Sequence, residues 1–173
     1  TQNVLNQWML SIILLISFNI KAQDAPFNCG YNAYLFQNND VYSIDLASGN
    51  SFLAASDVTP GNINAAAYNT KDGYFWGSLS TPEKTIVRID QNFATTTFYI
   101  DELPTNNRYV GDINQDGIYY LKGGGTTYYK IDLNPDSANY SKHISTETLS
   151  KNINVHDWAF NAVDGYLYAV EKN

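Results

Sequence analysis

The chain has one cysteine, Cys29, so no intramolecular disulfide can form and the fold must be held by strand pairing and burial. A lone thiol of this kind reads as a buried or loop side chain. Charge is sparse, 16% of residues, and unbalanced: ten basic against seventeen acidic residues give a formal net charge of −7. No Lys/Arg stripe is present that could neutralise a phosphate backbone, which excludes nucleic acid as a partner. Long apolar runs are scarce too. The one candidate, Met9 to Ile20 within "WMLSIILLISFNIKAQ", is shorter than the ~20 residues a bilayer span requires, and no other stretch approaches that length, so no membrane span is expected in the mature chain.

That apolar run ends in Lys21-Ala22 and gives way to a polar chain, the pattern of a signal-peptide core and cleavage site. A buried helix would carry polar residues at the 3.6-residue period, and this run has almost none. Residues 1–22 are therefore read as a leader and 23–173 as the folded part. A basic n-region is missing and residue 1 is Thr, so either translation starts at Met9 or upstream sequence is absent.

What the chain does have is aromatic and small polar character. Hydrophobic residues make up 44% and aromatics 14%, with fourteen tyrosines among many Asn, Thr and Ser, a mix suited to short pleated strands joined by polar turns. Two markers repeat along it. Ile-Asp pairs end the alternations "VYSIDL", "TIVRID" and "YYKIDL" at Asp45, Asp90 and Asp132, spaced by 45 and 42 residues. Asp-Gly turns followed by aromatic strands occur in "KDGYFWG", "QDGIYYL" and "VDGYLYA", at Asp72, Asp116 and Asp164, spaced by 44 and 48. Periods in the forties with only strands and turns inside are the mark of propeller blades.

Each repeat reads as four strands: 63–69, 74–79, 84–90 and 94–100 in the second copy, and 108–114, 117–122, 126–133 and 140–149 in the third. Asp-Gly between alternating runs is a strong hairpin signal, because both turn positions tolerate positive φ. The expected fold is all-β and β-propeller-like, with about three and a half four-stranded blades at 31–58, 62–101, 106–149 and, in part, 153–173. The first blade lacks its inner strand and the last has only its first hairpin. Propellers close with four to eight blades, so the chain is expected to be a fragment of a larger propeller. Aligned on Asp-Gly, Ala67, Gly111 and Ala159 share one inner-strand position where converging blades leave little room. Adjacent aromatics such as Phe75-Trp76, Tyr119-Tyr120 and Tyr128-Tyr129 are expected to pack on both faces of stacked sheets. Trp158 and Phe160 are expected to face a further blade.

The segments "AYLFQNNDVYSIDLASG", "INAAAYNTKDGYFWG", "RYVGDINQDGIYYL" and "NVHDWAFNAVDGYLYAV" resemble successive blade motifs of an uncharacterised propeller-like domain family of bacterial secreted and cell-surface, adhesin-type proteins, over roughly 30–173. The resemblance implies an extracellular address and a modular polypeptide with immunoglobulin-like, collagen-like or adhesin-type repeats downstream. The leader is similar to those of Gram-negative bacteria. No activity is implied.

Chemistry is thin. Asp112, Asn114 and Asp116-Gly117 reproduce the first half of a calcium loop. The second half is missing: the twelfth position is Gly123, and no Asp stands near Tyr120. The other turns replace Asp112 and Asn114 by Tyr68 and Thr70 and by Phe160 and Ala162. Calcium is the single cofactor with any support. Gly123-Gly124-Gly125 lacks the Lys-Ser/Thr and helix of a phosphate loop. His143 and His156 fall on separate blades, and no nucleophile motif accompanies His156-Asp157. No catalytic residue is assigned. The expectation is a non-catalytic binding or display module, with a glycan or a surface protein as the partner classes left. Two alternatives carry specific residues: an enzyme of the carbohydrate-active or lactonase type, with acids such as Asp112 and Asp157 converging at the channel mouth, or a glycan-stacking surface using Tyr74, Trp76 or Tyr166.

Overall fold

A computed structural model describes residues 24–28, 30–105 and 110–171. The expected leader, residues 1–22, and Cys29 lie outside the described residues. Thirteen strands and no helix are found within them.

The strands form four antiparallel sheets. The first contains β1 (Asn32–Gln37), β2 (Asp40–Asp45) and β3 (Ser51–Ala55) in that order. The second is β4 (Ile63–Asn69), β5 (Tyr74–Leu79), β6 (Thr85–Ile89) and β7 (Thr95–Tyr99). The third is β8 (Val110–Ile113), β9 (Ile118–Lys122), β10 (Thr127–Asp132) and β11 (Lys142–Thr148), and the fourth is the hairpin of β12 (Val155–Phe160) and β13 (Leu167–Glu171). First strands lie side by side, β4 against β8 and β8 against β12, which is the inner ring of a propeller-like arrangement. The Ile-Asp pair closes the third strand of the two complete sheets. In the first sheet it closes β2, which makes β1 the counterpart of a second strand.

The Ile-Asp marker has a local cause. In each copy the Asp is the acceptor that turns the chain: Asp45 Oδ1 takes the amides of Ala47 and Ser48, Asp90 Oδ1 those of Asn92 and Ala94, and Asp132 Oδ1 that of Asn134. The preceding Ile89 and Ile131 are fully buried. An Asx-type bond to amides two or more residues ahead is the standard way for Asp to start a turn.

Neighbouring aromatics point to opposite faces, as the pleat requires. Trp76 faces the third sheet and packs with Tyr119, Leu121, Ile131 and Leu133, while Phe75 faces the first sheet, where Ile63, Leu79, Val87 and Ile89 meet Phe36 and Phe93. Between the third and fourth sheets, Tyr120 meets Phe160 and Tyr128 meets Trp158. Trp158 and Phe160 thus turn back onto the third sheet, contrary to the expectation that they face a further blade. It is Tyr168 and Val170 that stand exposed. β12 is irregular at its start, with a register shift between Val155 and Trp158.

The second of the three Asp-Gly turns, Asp116-Gly117, corrects the sequence alignment by one residue. Gly73 and Gly165 donate to the carbonyls of Asn69 and Asn161, four residues back, whereas Gly117 donates to that of Asn114, three back. The anchor common to all three turns is the Asn. Tyr120 then faces Asp112 as Trp76 faces Ala67 and Tyr168 faces Ala159, so Asp112, not Gly111, is the counterpart of the two alanines. Gly111 is nevertheless required where it stands: a Cβ there would come within 2.8 Å of both Ala65 Cβ and Leu121 Cδ2.

Candidate functional site

The inner ring of β4, β8 and β12 carries most of the chemistry of the described residues. Ala65 and Ala66 on β4, Asp112 on β8 and Asp157 on β12 border one cleft of about 450 Å³. Asp112 also borders a second, of about 330 Å³, formed with the turn residues Asn114, Gln115 and Asp116.

Asp112 is half-buried, and its carboxylate bridges two blades. Oδ1 accepts the amide of Ile113 at 2.8 Å and Oδ2 accepts that of Phe160 at 2.7 Å. Burial pushes this carboxyl above its ordinary range, against the pull of the two amides, and the negative charge of Asp157 pushes the same way. The fold therefore brings Asp112 and Asp157 together, as a converging pair of acids would require. Asp157 is exposed and accepts the amide of Trp158 at 2.9 Å. Among the described residues no Ser, Cys, His or Lys borders the cleft they share; besides these carboxylates its lining brings the phenols of Tyr34 and Tyr68 as proton-transfer groups.

Of the calcium-loop residues, Asp112 has an amide on each oxygen. Asn114 Oδ1 accepts the amides of Asp116 and Ile118 at 3.1 and 2.8 Å, and Asp116 is exposed in the turn. The Asp112 carboxylate oxygens and Asn114 Oδ1, which would have to face a cation, are committed to N–H donors. No group of three or more His, Cys, Asp or Glu among the described residues is placed to hold a metal ion.

The stacking candidates separate by burial. Trp76 is fully buried and its Nε1 donates to Asp72 Oδ2 at 2.9 Å, so it offers no face to a sugar. Tyr74 is half-buried beneath the Arg88 guanidinium, 4.4 Å from its ring centre. Tyr166 is 70% exposed. His143 lies on the outermost strand of the third sheet, bonded to Thr146 Oγ1, and His156 on the innermost strand of the fourth; the fold does not bring them together.

Sequence reasoning missed two residues. Asn69, fully buried, donates from Nδ2 to the Leu133 carbonyl at 2.8 Å and so ties the second sheet to the third. Lys122, at the end of β9, is buried as well. Its signal was a lysine ending an aromatic strand just before three glycines.

Comparison with known proteins agrees with this architecture and stops short of an activity. Among solved structures the chain is similar to a protein of unknown function from Bacteroides thetaiotaomicron, with a TM-score of 0.59 at 14% identity over 82% of this chain and 42% of that one. It is similar also to a chain of the mitotic checkpoint complex, with a TM-score of 0.54 at 12% identity over 88% of this chain and 50% of that one. At such identities the likeness is one of fold alone, and the chain spans half or less of either neighbour's length. No curated protein matches it. A family model does match, over residues 37–173, and by that match the chain belongs to DUF6923, a repeat family of unknown function.

Proposed function

We propose that the chain is a non-catalytic binding and display module of a secreted or surface-anchored Gram-negative bacterial protein, serving adhesion to a glycan or to another surface protein. The carrying observation is where the recurring polar side chains go. Asp45, Asp90 and Asp132 close turns, Asp72 and Asp164 hold the aromatic residues of the following strands, and Asp112 joins two blades. Chemistry committed to holding strands favours a scaffold over a catalyst. The leader at 1–22 supports export, and Tyr168 and Val170 on β13 and Phe52 and Leu53 on β3 are the exposed faces on which further blades, or downstream modules, would sit. The test is expression of the precursor in a Gram-negative host. The mature chain should begin at Gln23, be open to protease on intact cells, and bind from a glycan and surface-protein panel without turning any member over. An uncleaved chain retained in the cytoplasm would refute the address.

A second reading, a propeller enzyme of the carbohydrate-active or lactonase type, is favoured by one observation, the Asp112–Asp157 pair with its raised carboxyl. Turnover of a polysaccharide or lactone that both Asp112→Asn and Asp157→Asn abolish while each variant stays folded at the assay temperature would establish it over the first.

A further inference from the structure

The axial acids and the Asp-Gly turns lie at one end of the strands. At the other end, where the β9–β10 turn and the β11–β12 connection meet, is a cavity of about 390 Å³ bordered by Val110, Lys122, the three glycines 123–125 and residues 152–155. Lys122 is 2% exposed. Among the described residues its Nζ makes one hydrogen bond, to the Gly123 carbonyl at 2.9 Å. Other lysines of the described residues are exposed or, like Lys84 and Lys130, paired with a carboxylate. Lys122 is the buried one without an acid, and burial alone, with no opposing charge, pulls its ammonium below the ordinary lysine range.

Buried charges in folded proteins are paired or neutralised, because an ammonium taken out of water without a counter-charge is strongly disfavoured. In a chain of net charge −7 the lack of a carboxylate at this position leaves the counter-charge to come from elsewhere. The surroundings are equipped for it. The Asn152 and Asn154 carboxamides are exposed and have no hydrogen bond among the described residues, nor do the amides of Gly124 and Gly125 donate one. A Cβ on Gly124 or Gly125 would meet nothing within 4 Å, so the loop stands open. Gly124, unlike Gly125, has no positive φ to explain it. Its bare backbone permits close approach by a ligand.

We propose that this cavity binds a small monoanionic carboxylate, with the Lys122 ammonium as its counter-charge and the Asn152 and Asn154 carboxamides and the Gly124 and Gly125 amides as hydrogen-bond donors. One cation matches one negative charge; a phosphate dianion would leave excess charge on an already acidic chain. The same carboxylate chemistry can arrive on an acidic sugar or on an acidic side chain of a partner protein, and the test separates the two.

Full-length protein labelled at lysine Cε and at backbone nitrogen is titrated by NMR with sodium glucuronate and with N-acetylglutamic acid α-amide, against glucose, inorganic phosphate and sodium chloride at matched ionic strength. The expected result is saturable shifts at Lys122 Cε and at the Gly124 and Gly125 amides with one or both carboxylates, the tighter of the two naming the source, and none with glucose. Lys122→Met should weaken binding about tenfold or more, the loss of a charge-assisted bond, and Lys130→Met should leave it unchanged. The absence of saturable shifts with both carboxylates, shifts that persist in Lys122→Met, or tighter binding of phosphate overturns the proposal. Should Lys122→Met fail to fold, the wild-type protein decides: saturating carboxylate must raise the apparent pKa read at Lys122 Cε, and an unmoved value overturns the site.

Discussion

Asn69 offers a direct test of what the repeat marker does, because the same residue recurs in two settings. At Asn69 the side chain is fully buried, Nδ2 donating to the Leu133 carbonyl at 2.8 Å across the blade interface and Oδ1 accepting the Lys71 amide at 3.0 Å. At Asn161 the side chain is exposed, and Oδ1 accepts the Val163 amide at 2.8 Å within its own turn. Asn69→Ala removes a bond of about 1 kcal/mol and strands the carbonyl of Leu133, itself fully buried, at about 1–3 kcal/mol. The Lys71 amide, in an exposed turn, recovers a bond to water. The expected loss is about 3 kcal/mol. Asn161→Ala should cost less than about 1 kcal/mol, since water replaces the lost acceptor. The assay is urea unfolding followed by circular dichroism, comparing midpoints at unchanged slope. Asn69→Asp keeps Oδ1 and loses the donor, placing a carboxylate against a carbonyl in a dry interface. Its native pKa is then raised, so the added destabilisation should be absent below the ordinary aspartate range and grow as pH rises through the raised value. If Asn161→Ala costs as much as Asn69→Ala, or if Asn69→Ala costs under about 1 kcal/mol, the inter-blade bond is not what holds these sheets together.

Asp112→Ala should cost about 2 kcal/mol by leaving the Phe160 and Ile113 amides without their acceptor, and Asp112→Asn, which removes a half-buried charge but keeps one acceptor oxygen and turns its NH2 toward the other amide, should cost about 1 kcal/mol. Because the native carboxyl of Asp112 is raised, its contribution to stability is complete below the ordinary carboxylate range and lost as pH rises through the native value; Asp112→Asn should flatten that part of the stability–pH curve, and an unchanged curve would refute the assignment. Trp76→Ala, which empties the space beside Phe98 and Tyr140, should cost about 3–5 kcal/mol in a melt, against about 0.5 kcal/mol or less for Tyr166→Ala on the surface. The exposed Tyr168 and Val170 should drive concentration-dependent association of the chain in sedimentation velocity, and Val170→Asp should reduce it; a wild-type chain monomeric at every concentration would refute this.

The strands were legible because their causes are local. Alternation in "INAAAYN" and "YFWGSL" and the Asp-Gly turn between them require no partner beyond the next strand, and the strands stand at 63–69 and 74–79 as read. Alignment on Asp-Gly misplaces the second turn, because the Asn carbonyl is what each turn closes on and "NQDG" is one residue shorter than "NTKDG". Trp158 and Phe160 pack on the opposite face to the one expected, because strand alternation separates the two faces of a blade but does not say which of them meets the preceding blade. The site residues were harder still. The approach of Asp112 to Asp157 and the burial of Lys122 depend on how one blade docks on the next, which is long-range information. The glycine run does not read as a phosphate loop, because that pattern puts its lysine after the glycines; here the lysine precedes them, on the strand that delivers it into the cavity.

The repeat itself supplies the comparison from which function can be argued. Where the copies agree, the structure gives a scaffold role: the Asp of each Ile-Asp pair turns the chain, and the Asn of each Asp-Gly turn accepts the glycine amide. Where one copy departs, no such role is forced by the fold, since its siblings manage without that side chain. Asp112 stands where the others have Ala67 and Ala159, and Lys122, five residues after its turn glycine, stands where they have Ser78 and Val170. Both departures place ionisable groups at least partly out of water, both fall in the third sheet, and each borders a cavity at an opposite end of it. Asp112 offsets part of its burial by accepting the Phe160 amide of the next blade, whereas Lys122 has no carboxylate, and a blade that only filled space would do better with the serine or valine of its siblings there, because a charge held out of water opposes folding. The third sheet keeps them, which makes it the blade on which binding chemistry should be sought first.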